Sequence, residues 1–434
     1  MSLQRRPLDP RSIAFGVIWT VAVTLGIKFL LAPWLQLNTR ETTAQLLAQA
    51  HSTILNNSLE AHDAGDLMRS AAEGMLAALE DPYSSFVGPD EMRRFQEDSS
   101  GTLMGIGVML DARGVVLYPQ PDGAAEAAGI HPGDRFLQVD GIDVSSWGMN
   151  QLTEILRGEL GSEVQLQMEH ADGTVFHAVV ARSKVPTLTV GDTRLLDAES
   201  GIGHVHIRSF AGTTVDEFER AMWRLNGSMP GGLKGLILDL RWNIGGQLNS
   251  AIGIASFFLD GDLVCSLEGR DRPSQKRYAQ RGKATYKDLP VVLLVNEWSA
   301  SGSEVLAAAL RERGLAVLVG QRTYGKGIYQ QVYDFEQGDF VLKFTAGYYT
   351  TAAGRILEGH LNPALVGGLD ADIPVRPIPE NNAAIRTWLR RNPPPSRFRE
   401  EVYALFPSYR DAQPPVDIVL QTALQLLRVS LASS

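Results

Sequence analysis

The sequence contains a single cysteine, Cys265, so no disulfide bond can form within the chain. Cys265 lies in the apolar, strand-like segment GDLVCSLEG. Free cysteine is among the residue types most often buried, so we expect an inert core thiol rather than a nucleophile. A disulfide-stapled scaffold is therefore excluded, and a thiol enzyme is not favoured.

Dense runs of lysine and arginine are also missing. The chain has a net charge of −9, from 40 basic and 49 acidic residues. Nucleic-acid-binding domains usually carry a basic patch or stripe, so we expect no nucleic acid as a partner. We find no internal repeat. With 434 residues, of which 44% are apolar and 21% charged, the chain is long enough for two or three globular domains.

One long apolar run is present near the N-terminus. Residues 13–32 form a 20-residue stretch interrupted only by Lys28, which is long enough to cross a bilayer. Three arginines precede it, and basic flanks remain on the cytoplasmic side. We therefore expect a cytoplasmic tail at 1–12, a transmembrane signal anchor at 13–35, and the rest of the chain outside the cytoplasm. A cleaved signal peptide is the alternative, although no clear cleavage site follows the run.

Two regions of different character follow the expected anchor. Residues 36–97 contain apolar residues spaced three and four apart, as in Ala72, Met75 and Leu79, which predicts a helical region. Residues 98–185 alternate between apolar and polar residues around turns such as Asp172-Gly173. This pattern predicts a small strand-rich module.

The pattern then changes to alternating strands and helices. Continuous apolar runs at 235–240, 291–295 and 315–320 are each followed by a polar turn or a helical pattern. Such runs are typical of a mainly parallel sheet that is covered on both faces. We therefore predict an α/β core over 186–380, followed by a helical segment over 381–434.

Candidate chemistry falls at two strand-to-helix turns of this predicted core. One turn contains Gly245 and Gly246, and the other contains Ser301. In open α/β sheets, ligands bind at the carboxyl ends of the strands. Glycines let the backbone approach a ligand closely, and free amides at a helix N-terminus favour negative charge. A serine beside such amides could attack a carbonyl group whose oxygen they stabilise.

The alternative is that Ser301 only caps a helix. Ser301 and Glu304 have the spacing of a capping box, in which a serine and a glutamate three residues later close the first helical turn. The segment NEWSASGSEV also differs from the G-x-S-x-G turn of α/β-hydrolases. On spacing alone, the cap is favoured over the nucleophile.

A serine nucleophile needs a base. None of the eight histidines lies in a glycine-rich turn that we expect at this edge, and His204 and His206 share one strand face without a clear third metal ligand. Lys326, between two glycines after the third apolar strand, is another candidate. A lysine can accept a proton near neutral pH only if its environment lowers its pKa from about 10.4. A solvated loop lysine is the alternative.

Five motifs in order, with two segments of the PDZ-like module counted as one motif, resemble those of the carboxyl-terminal processing peptidases, which are tail-specific Ser/Lys endopeptidases. The resemblance covers about residues 40–375. It is carried by LEDPYSSFVGPDE before a PDZ-like module, GIGV and AAGIHPGDRFLQVDGIDV within that module, LILDLRWNIGGQLNSAI, VNEWSASGSEV and VGQRTYGKGIYQQ. It implies an α/β peptidase core with an inserted, strand-rich PDZ-like domain.

The resemblance also implies site residues. Ser301 corresponds to the nucleophile, Lys326 to its general base, and Gln330 to the glutamine associated with the lysine. In a straight strand Lys326 and Gln330 would be about 13 Å apart, so we expect KGIYQ to form a helical turn that brings them together. Gly302 stands where the family usually has alanine, and Trp298 where a small residue is common.

Two further groups of residues are implied. The first would provide oxyanion amides, and the second would hold a substrate's C-terminal tail. These are Gly245 or Gly246, together with Gly302, for the oxyanion, and Gly105, Ile106, Gly107 and Val108 for the tail.

The sequence therefore predicts a membrane-anchored serine endopeptidase whose catalytic part is extracytoplasmic, as in a bacterial periplasm. Its expected partners are protein substrates with apolar C-terminal tails, and a homo-oligomer is left open. No metal or cofactor is expected. Two alternatives are a catalytically inactive PDZ-type scaffold that only binds tails, and a relative that holds a small apolar molecule.

Overall fold

The computed structural model describes residues 42–270, 273–335, 340–361, 365–410 and 412–433. These residues form two compact units, which divide between Phe86 and Val87. The expected anchor at 13–35 lies outside the described residues. Among the helices that are described, none is both long and apolar enough to cross a membrane.

Helices occur along the whole described part of the chain. In chain order they are α1 (42–57), α2 (Ala64–Ala77), α3 (Pro89–Ser100), α4 (Ala124–Ala127), α5 (Met149–Leu156), α6 (Thr214–Gly227), α7 (Leu248–Ala255), α8 (Gly302–Glu312), α9 (Pro379–Leu389), α10 (Arg399–Leu405), α11 (Pro407–Arg410) and α12 (Ile418–Ala432).

Strands occupy the region between the first helices and the C-terminal ones. In chain order they are β1 (Ser85–Val87), β2 (Thr102–Gly105), β3 (Val108–Leu110), β4 (Val116–Pro119), β5 (Arg135–Val139), β6 (Ile142–Asp143), β7 (Glu163–Glu169), β8 (Val175–Ala181), β9 (Ser183–Pro186), β10 (Val190–Asp197), β11 (Ile202–Ile207), β12 (Gly235–Asp239), β13 (Leu263–Gly269), β14 (Gln275–Tyr278), β15 (Val291–Val295), β16 (Ala316–Gly320), β17 (Ile328–Phe335), β18 (Phe340–Thr351) and β19 (Ile373–Pro374).

The first unit contains α1 and α2, as the helical pattern predicts. Asp63 caps α2, because its carboxylate accepts hydrogen bonds from the amides of Gly65 at 2.7 Å and Asp66 at 3.1 Å. The cap satisfies amide donors that a helix N-terminus otherwise leaves unpaired.

The PDZ-like module is built from small antiparallel sheets around its own core. Strands β5 to β8 form a sheet in the order β6-β5-β7-β8, while β2 pairs with β9 and β3 pairs with β4. The hairpin β7–β8 turns through Gly173, whose φ of +89° suits glycine. Alternate residues of β7 are buried, among them Val164, Leu166 and Met168. The alternation in the sequence therefore corresponds to one buried face of this sheet.

The core is organised around a six-stranded sheet in the order β10-β11-β12-β15-β16-β19. All neighbouring pairs are parallel except β10–β11. Successive residues of β12 point to opposite faces: Leu236 and Leu238 pack in a cluster with α6, α7 and α8, whereas Ile237 packs with α12. Coverage of both faces explains the continuous apolar strands, and the predicted α/β class is confirmed. A second, antiparallel sheet contains β13, β14, β17 and β18.

The C-terminal segment contributes to both the core and the PDZ-like module. Helix α12 covers one face of the core sheet through Val419, Ala423 and Leu427. Helix α10 and its flanks pack instead against the module, where Phe398 and Val402 join the cluster containing β4. Residues 381–434 thus complete two packing surfaces and do not form a separate appendage.

A buried ion network links three strands of the core sheet to α12. Arg241, directly after β12, bonds Asp239 at 2.7 Å and also Asp417, the N-cap of α12, at 2.7 Å. His204 on β11 is fully buried, with one ring nitrogen 3.4 Å from Asp239 and the other 3.2 Å from Asp192 on β10. A histidine between two carboxylates is favoured in its protonated form.

We predict that this histidine makes the fold less stable at alkaline pH. Burial alone would lower the pKa of His204, but Asp192 and Asp239 reverse this, so the pKa is raised above its ordinary value. The stabilisation is therefore complete below the unfolded-state pKa of about 6.5, and it is lost as the pH rises through the folded-state pKa. The free energy of unfolding, measured with urea at a series of pH values from below 6.5 into the alkaline range, should therefore fall as the pH rises. The variant His204→Gln should lack this dependence, and His177→Gln, at an exposed position on β8, should retain it; an unchanged slope in His204→Gln would contradict the prediction.

Candidate active site

The three serines of the turn between β15 and α8 have different environments. Ser299 is fully buried and its hydroxyl donates to the carbonyl of Leu240 at 2.9 Å. Ser303 is also fully buried and donates to the carbonyl of Asn243 at 2.8 Å. Ser301 is only partly buried. Ser299 and Ser303 therefore hold the turn together, and Ser301 is the serine placed at the surface of the edge.

Ser301 has an unusual backbone conformation. It occupies the N-cap position of α8 with φ +55° and ψ −114°, whereas N-cap residues normally adopt extended angles. The Glu304 half of the capping box is present, because the Ser301 amide donates to the Glu304 carboxylate at 2.8 Å, but among the described residues no helix amide donates to the Ser301 hydroxyl. A non-glycine residue with positive φ is strained, and such residues cluster at functional sites. The strained backbone is not explained by the cap.

The glycine pair after β12 lies against Ser301. A side chain on Gly245 would place its Cβ 2.7 Å from the Cβ of Ser301, and one on Gly246 would lie 2.0 Å from the carbonyl oxygen of Phe210. Both glycines have positive φ, +102° and +137°. Only glycine allows these two turns to approach so closely.

The amide of Gly245 is already used. It donates to the side-chain oxygen of Asn243 at 2.9 Å, so the expectation that Gly245 provides an oxyanion amide does not fit this geometry. The remaining candidates are the amides of Gly246 and of Gly302, the first residue of α8. The helix N-terminus adds partial positive charge at this position.

Glu304 connects the serine turn to the lysine loop. Its carboxylate is fully buried and accepts four hydrogen bonds, two on each oxygen. One oxygen accepts from the amides of Ser301 at 2.8 Å and of Lys326 at 2.9 Å, and the other from the Thr323 hydroxyl at 2.6 Å and the Gly325 amide at 2.7 Å. Burial raises the pKa of Glu304, and the hydrogen bonds act in the opposite direction. Two donors on one oxygen are necessarily neighbours, so Ser301 and Lys326 are brought together by this side chain.

A second buried carboxylate holds the other side of the lysine loop. Glu358 is fully buried and accepts the amides of Gly327 at 3.0 Å and of Leu361 at 2.8 Å. A Cβ on Gly327 would lie 2.0 Å from the Glu358 amide nitrogen, so the two segments are in direct backbone contact. The position of Lys326 is thus restrained on both sides.

The expectation that KGIYQ forms a helical turn is wrong. Strand β17 begins at Ile328, and Gln330 pairs with Thr345 of β18, next to an irregularity in the register at Tyr329.

The expectation that no histidine lies in a turn at this edge is also wrong. The ring of His360 packs 4.4 Å from that of Tyr324. Its Nε2 lies 2.9 Å from the Tyr324 carbonyl, which can only accept, so this nitrogen carries a proton and is not a base.

Sequence reasoning singled out Trp298 but missed two other apolar side chains around the site, Ile244 and Tyr324. Ile244, Trp298 and Tyr324 are 68%, 50% and 39% exposed, and each lies within three residues of a proposed site residue. They come from three different loops, and such exposed apolar residues can bind apolar parts of a ligand. Their closeness in sequence to the glycine, serine and lysine motifs was the available signal.

Neither a metal site nor a reactive thiol is found in the described ranges. No group of three His, Cys, Asp or Glu residues there could hold a metal ion, and His204 and His206 are both buried in the core. Cys265 is buried on β13, and burial raises the pKa of its thiol to about 12. The predicted inert thiol is confirmed.

Comparison with known proteins identifies the family. A sequence model of peptidase family S41 matches residues 201–375, one of the PDZ domain matches 115–169, and one named activating protease CtpB N-terminal domain matches 35–90. The carboxy-terminal processing protease CtpA of Bacillus subtilis is 30% identical over 322 residues, which are 73% of this chain and 67% of that protein. The chain belongs to the carboxyl-terminal processing peptidases. It is a serine-type protease with a PDZ domain, and its substrates are proteins.

Two further relatives agree with this assignment in sequence. A CtpA-like serine protease of Staphylococcus haemolyticus is 32% identical over 344 residues, covering 78% of this chain and 67% of its own length. The carboxyl-terminal-processing protease of Picosynechococcus is 34% identical over 284 residues, covering 64% and 67%. Among solved structures, the photosystem II D1 C-terminal processing protease is 25% identical with a TM-score of 0.43, covering 76% of this chain and 92% of that one.

We predict that Glu304→Gln weakens both catalysis and stability. Glutamine keeps the shape but replaces one oxygen by an NH₂ group, which would face two of the four hydrogen-bond donors and leave them without an acceptor. Unpaired buried donors cost about 1–3 kcal/mol each, and a displacement of about 1 Å in a catalytic group lowers the rate about 100-fold. Hydrolysis of a small ester and urea unfolding measure the two effects. Glu297→Gln, an exposed change in the same turn, is the control. An active, fully stable Glu304→Gln enzyme would remove Glu304 from this role.

Proposed function

We propose that Ser301 is the nucleophile and Lys326 the general base of peptide-bond hydrolysis. The observation that carries this proposal is the shared Glu304 oxygen, which accepts the amides of both residues. The Ser301 hydroxyl attacks the scissile carbonyl carbon while the Lys326 amine takes its proton. The proton then passes to the leaving amine as the C–N bond breaks, and water hydrolyses the resulting acyl-enzyme.

The negative charge of the tetrahedral intermediate needs amide donors. We assign this role to the amides of Gly246 and Gly302, because that of Gly245 is bonded to Asn243. Phe210 supports the glycine turn, since its amide donates to the Gly245 carbonyl at 3.0 Å and its carbonyl accepts from Gln247 at 2.6 Å. Donors fixed in this way need no reorganisation as the charge develops.

Gln330 completes the proposed catalytic set as a residue that orients Lys326. It lies near the start of β17, four residues after the lysine and beside the irregularity in the β17–β18 register. A register irregularity locally redirects a strand's side chains. This supports an orienting role that acts from a strand and needs no helical turn.

A groove in the PDZ domain would hold the substrate's tail. We name it the tail groove; its volume is about 370 Å³, and it is bounded by the turn joining β2 to β3 on one side and by α5 on the other. Gly105, Ile106, Gly107 and Val108 all line the first side, where they would bind the terminal carboxylate and pair with the tail. The α5 side presents Met149, Thr153 and Leu156 at helical spacing, which favours an apolar tail.

The inactive scaffold is the alternative to an enzyme. It would need the tail groove but not the strained Ser301, the close approach of Gly245, or the clamp of Glu304 on the lysine loop. These features cost stability without helping to bind a tail. They therefore favour the enzyme.

We predict that Ser301→Ala and Lys326→Arg both abolish cleavage of an unfolded protein with an apolar C-terminus. Alanine has no nucleophile, and arginine stays protonated and cannot accept the serine's proton. The rate should fall by up to about six orders of magnitude, as for other serine proteases that lose their nucleophile or base. Gel-resolved cleavage and labelling by a serine-directed fluorophosphonate measure the loss.

The control for this experiment is the neighbouring serine. Ser303→Ala should lose about 1 kcal/mol of stability, because its hydroxyl donates a buried hydrogen bond, and yet remain active. If Ser301→Ala cleaves at the wild-type rate, the mechanism is wrong. The wild-type reaction is repeated with a substrate whose C-terminus carries charged residues. This change should weaken binding of the tail and leave the chemical step unchanged, so it separates tail recognition from chemistry.

We also propose that residues 13–35 anchor the chain in a membrane, with the peptidase on the extracytoplasmic side, as in a periplasm. The support is the apolar run 13–32 with arginines before it. A homo-oligomer is also proposed, supported by the exposed apolar side chains of Leu47 and Ile54 on α1 and of Met68 on α2.

The anchor predicts where the full-length chain is found in cells. It should sediment with membranes, and protease added from the extracytoplasmic side should digest the catalytic part. A chain recovered wholly in the soluble fraction, or one shielded from that protease, would be inconsistent with the anchor.

A further inference from the structure

A second cleft lies beside the tail groove. Its volume is about 470 Å³, and it runs along β10, the edge strand of the core sheet. Three arginines line it: Arg194 on β10, Arg208 directly after β11, and Arg224 in the last turn of α6. We call it the arginine cleft.

Two of these arginines have no anionic partner. In the described part of the chain, neither Arg208 nor Arg224 forms an ion pair. Arg208 donates only to neutral oxygens, at 2.6 Å to the Asn392 side chain and at 2.8 Å to the Arg391 carbonyl, and its Nε is buried without a partner. The chain as a whole carries a net charge of −9, so arginines that form no ion pair are not to be expected together in one cleft.

The nearest carboxylates are engaged elsewhere. Glu217 accepts the amides of Thr189 at 2.8 Å and Val190 at 2.9 Å. Asp192 lies between Arg194 at 3.0 Å and His204 at 3.2 Å. Burial lowers the pKa of Arg208 despite these two acids, and Arg390 acts in the same direction. An incoming carboxylate would relieve this unfavourable charge.

The arginine cleft is continuous with the tail groove. Leu188 and Arg208 line both, and Asn392 of the groove precedes Pro393 of the cleft. A polypeptide that is held in the tail groove and extends past Leu188 and Arg208 would enter the arginine cleft. The glycine-containing turn between β2 and β3 already provides for the terminal carboxylate, so the arginines remain for another anion.

We propose that the arginine cleft binds the side-chain carboxylate of an aspartate or glutamate that precedes the apolar tail of the substrate. This deepens the proposed function and rests on it, because it makes an acidic residue near the tail a determinant of substrate choice. Guanidinium groups bind carboxylates through paired hydrogen bonds, and the contact adds to binding of the tail itself.

The test uses matched peptides with the full-length enzyme. Each peptide has the same apolar C-terminus, and a single glutamate or glutamine is moved along the segment before it. At one position of this residue, the glutamate peptide should have a KM about fivefold lower than the matching glutamine peptide. The kcat should be unchanged, and added salt should weaken the preference.

Two arginines on the same helix provide a variant and its control. Arg224→Gln should bring the ratio of the two KM values towards one. Arg220→Gln removes the same charge one turn earlier, at an exposed position outside the cleft, and should leave the preference intact. Arg208→Lys keeps the charge but not the paired donors, and should reduce the preference without removing it.

The outcomes separate this inference from the function on which it rests. Equal cleavage of glutamate and glutamine peptides at every register would overturn the subsite and leave the protease intact. The same peptides are also made with an amidated C-terminus. Arg224→Gln could instead raise the KM of every peptide with a free terminal carboxylate, with or without glutamate, and leave the KM of amidated peptides unchanged. In that case the arginines bind the terminal carboxylate and the proposal is wrong. Failure to cleave any of these peptides would remove the proposal together with the function.

Discussion

The buried carboxylate of Glu304 is the constraint on which the candidate site depends. It ties the start of α8 to the loop after β16, and it does so through the backbone amides of the two residues proposed to react, Ser301 and Lys326. A carboxylate buried in this way is stable only when hydrogen bonds replace its water. The four donors therefore stabilise the acid, and the acid in turn fixes the four donors in one arrangement.

Other hydrogen bonds at this edge of the sheet also fix the turns that carry the candidate site. Asn243 uses its carbonyl to accept the Ala300 amide at 3.0 Å and the Ser303 hydroxyl, which joins the glycine turn to the serine turn. Phe210 then fixes the glycine turn from the side of β11. Because Arg208 lines the tail groove and is only two residues from Phe210, a short stretch of chain separates this groove from the glycine turn that Phe210 contacts. The groove proposed for recognition and the turn proposed for chemistry are thus linked through the end of β11.

Much of the fold could be predicted because it follows from local pattern. Continuous apolar runs predicted the parallel strands β12, β15 and β16, and strict alternation predicted the hairpin β7–β8, since burial on two faces or on one dictates these patterns. The failures concern residues whose surroundings come from elsewhere in the chain. KGIYQ was expected to form a helical turn, but pairing with β18 makes its last three residues, from Ile328 to Gln330, part of a strand. The choice between Gly245 and Gly246 for the oxyanion amide was likewise open in the sequence, and the hydrogen bond from the Gly245 amide to Asn243 leaves Gly246 as the candidate.

The sequence by itself determined the class of fold through its periodicity, and the resemblance of its motifs to a known family singled out Ser301 and Lys326 as candidates. Spacing alone favoured a helix cap at Ser301 and did not distinguish a base from a solvated lysine at Lys326. Tertiary structure alone decided which carbonyls Ser299 and Ser303 donate to, that Glu304 acts as more than a cap residue, and that Arg208 and Arg224 face one cleft. The physical reason is that hydrogen bonds and charge compensation depend on distance in space, and sequence separation does not report that distance for residues on different strands.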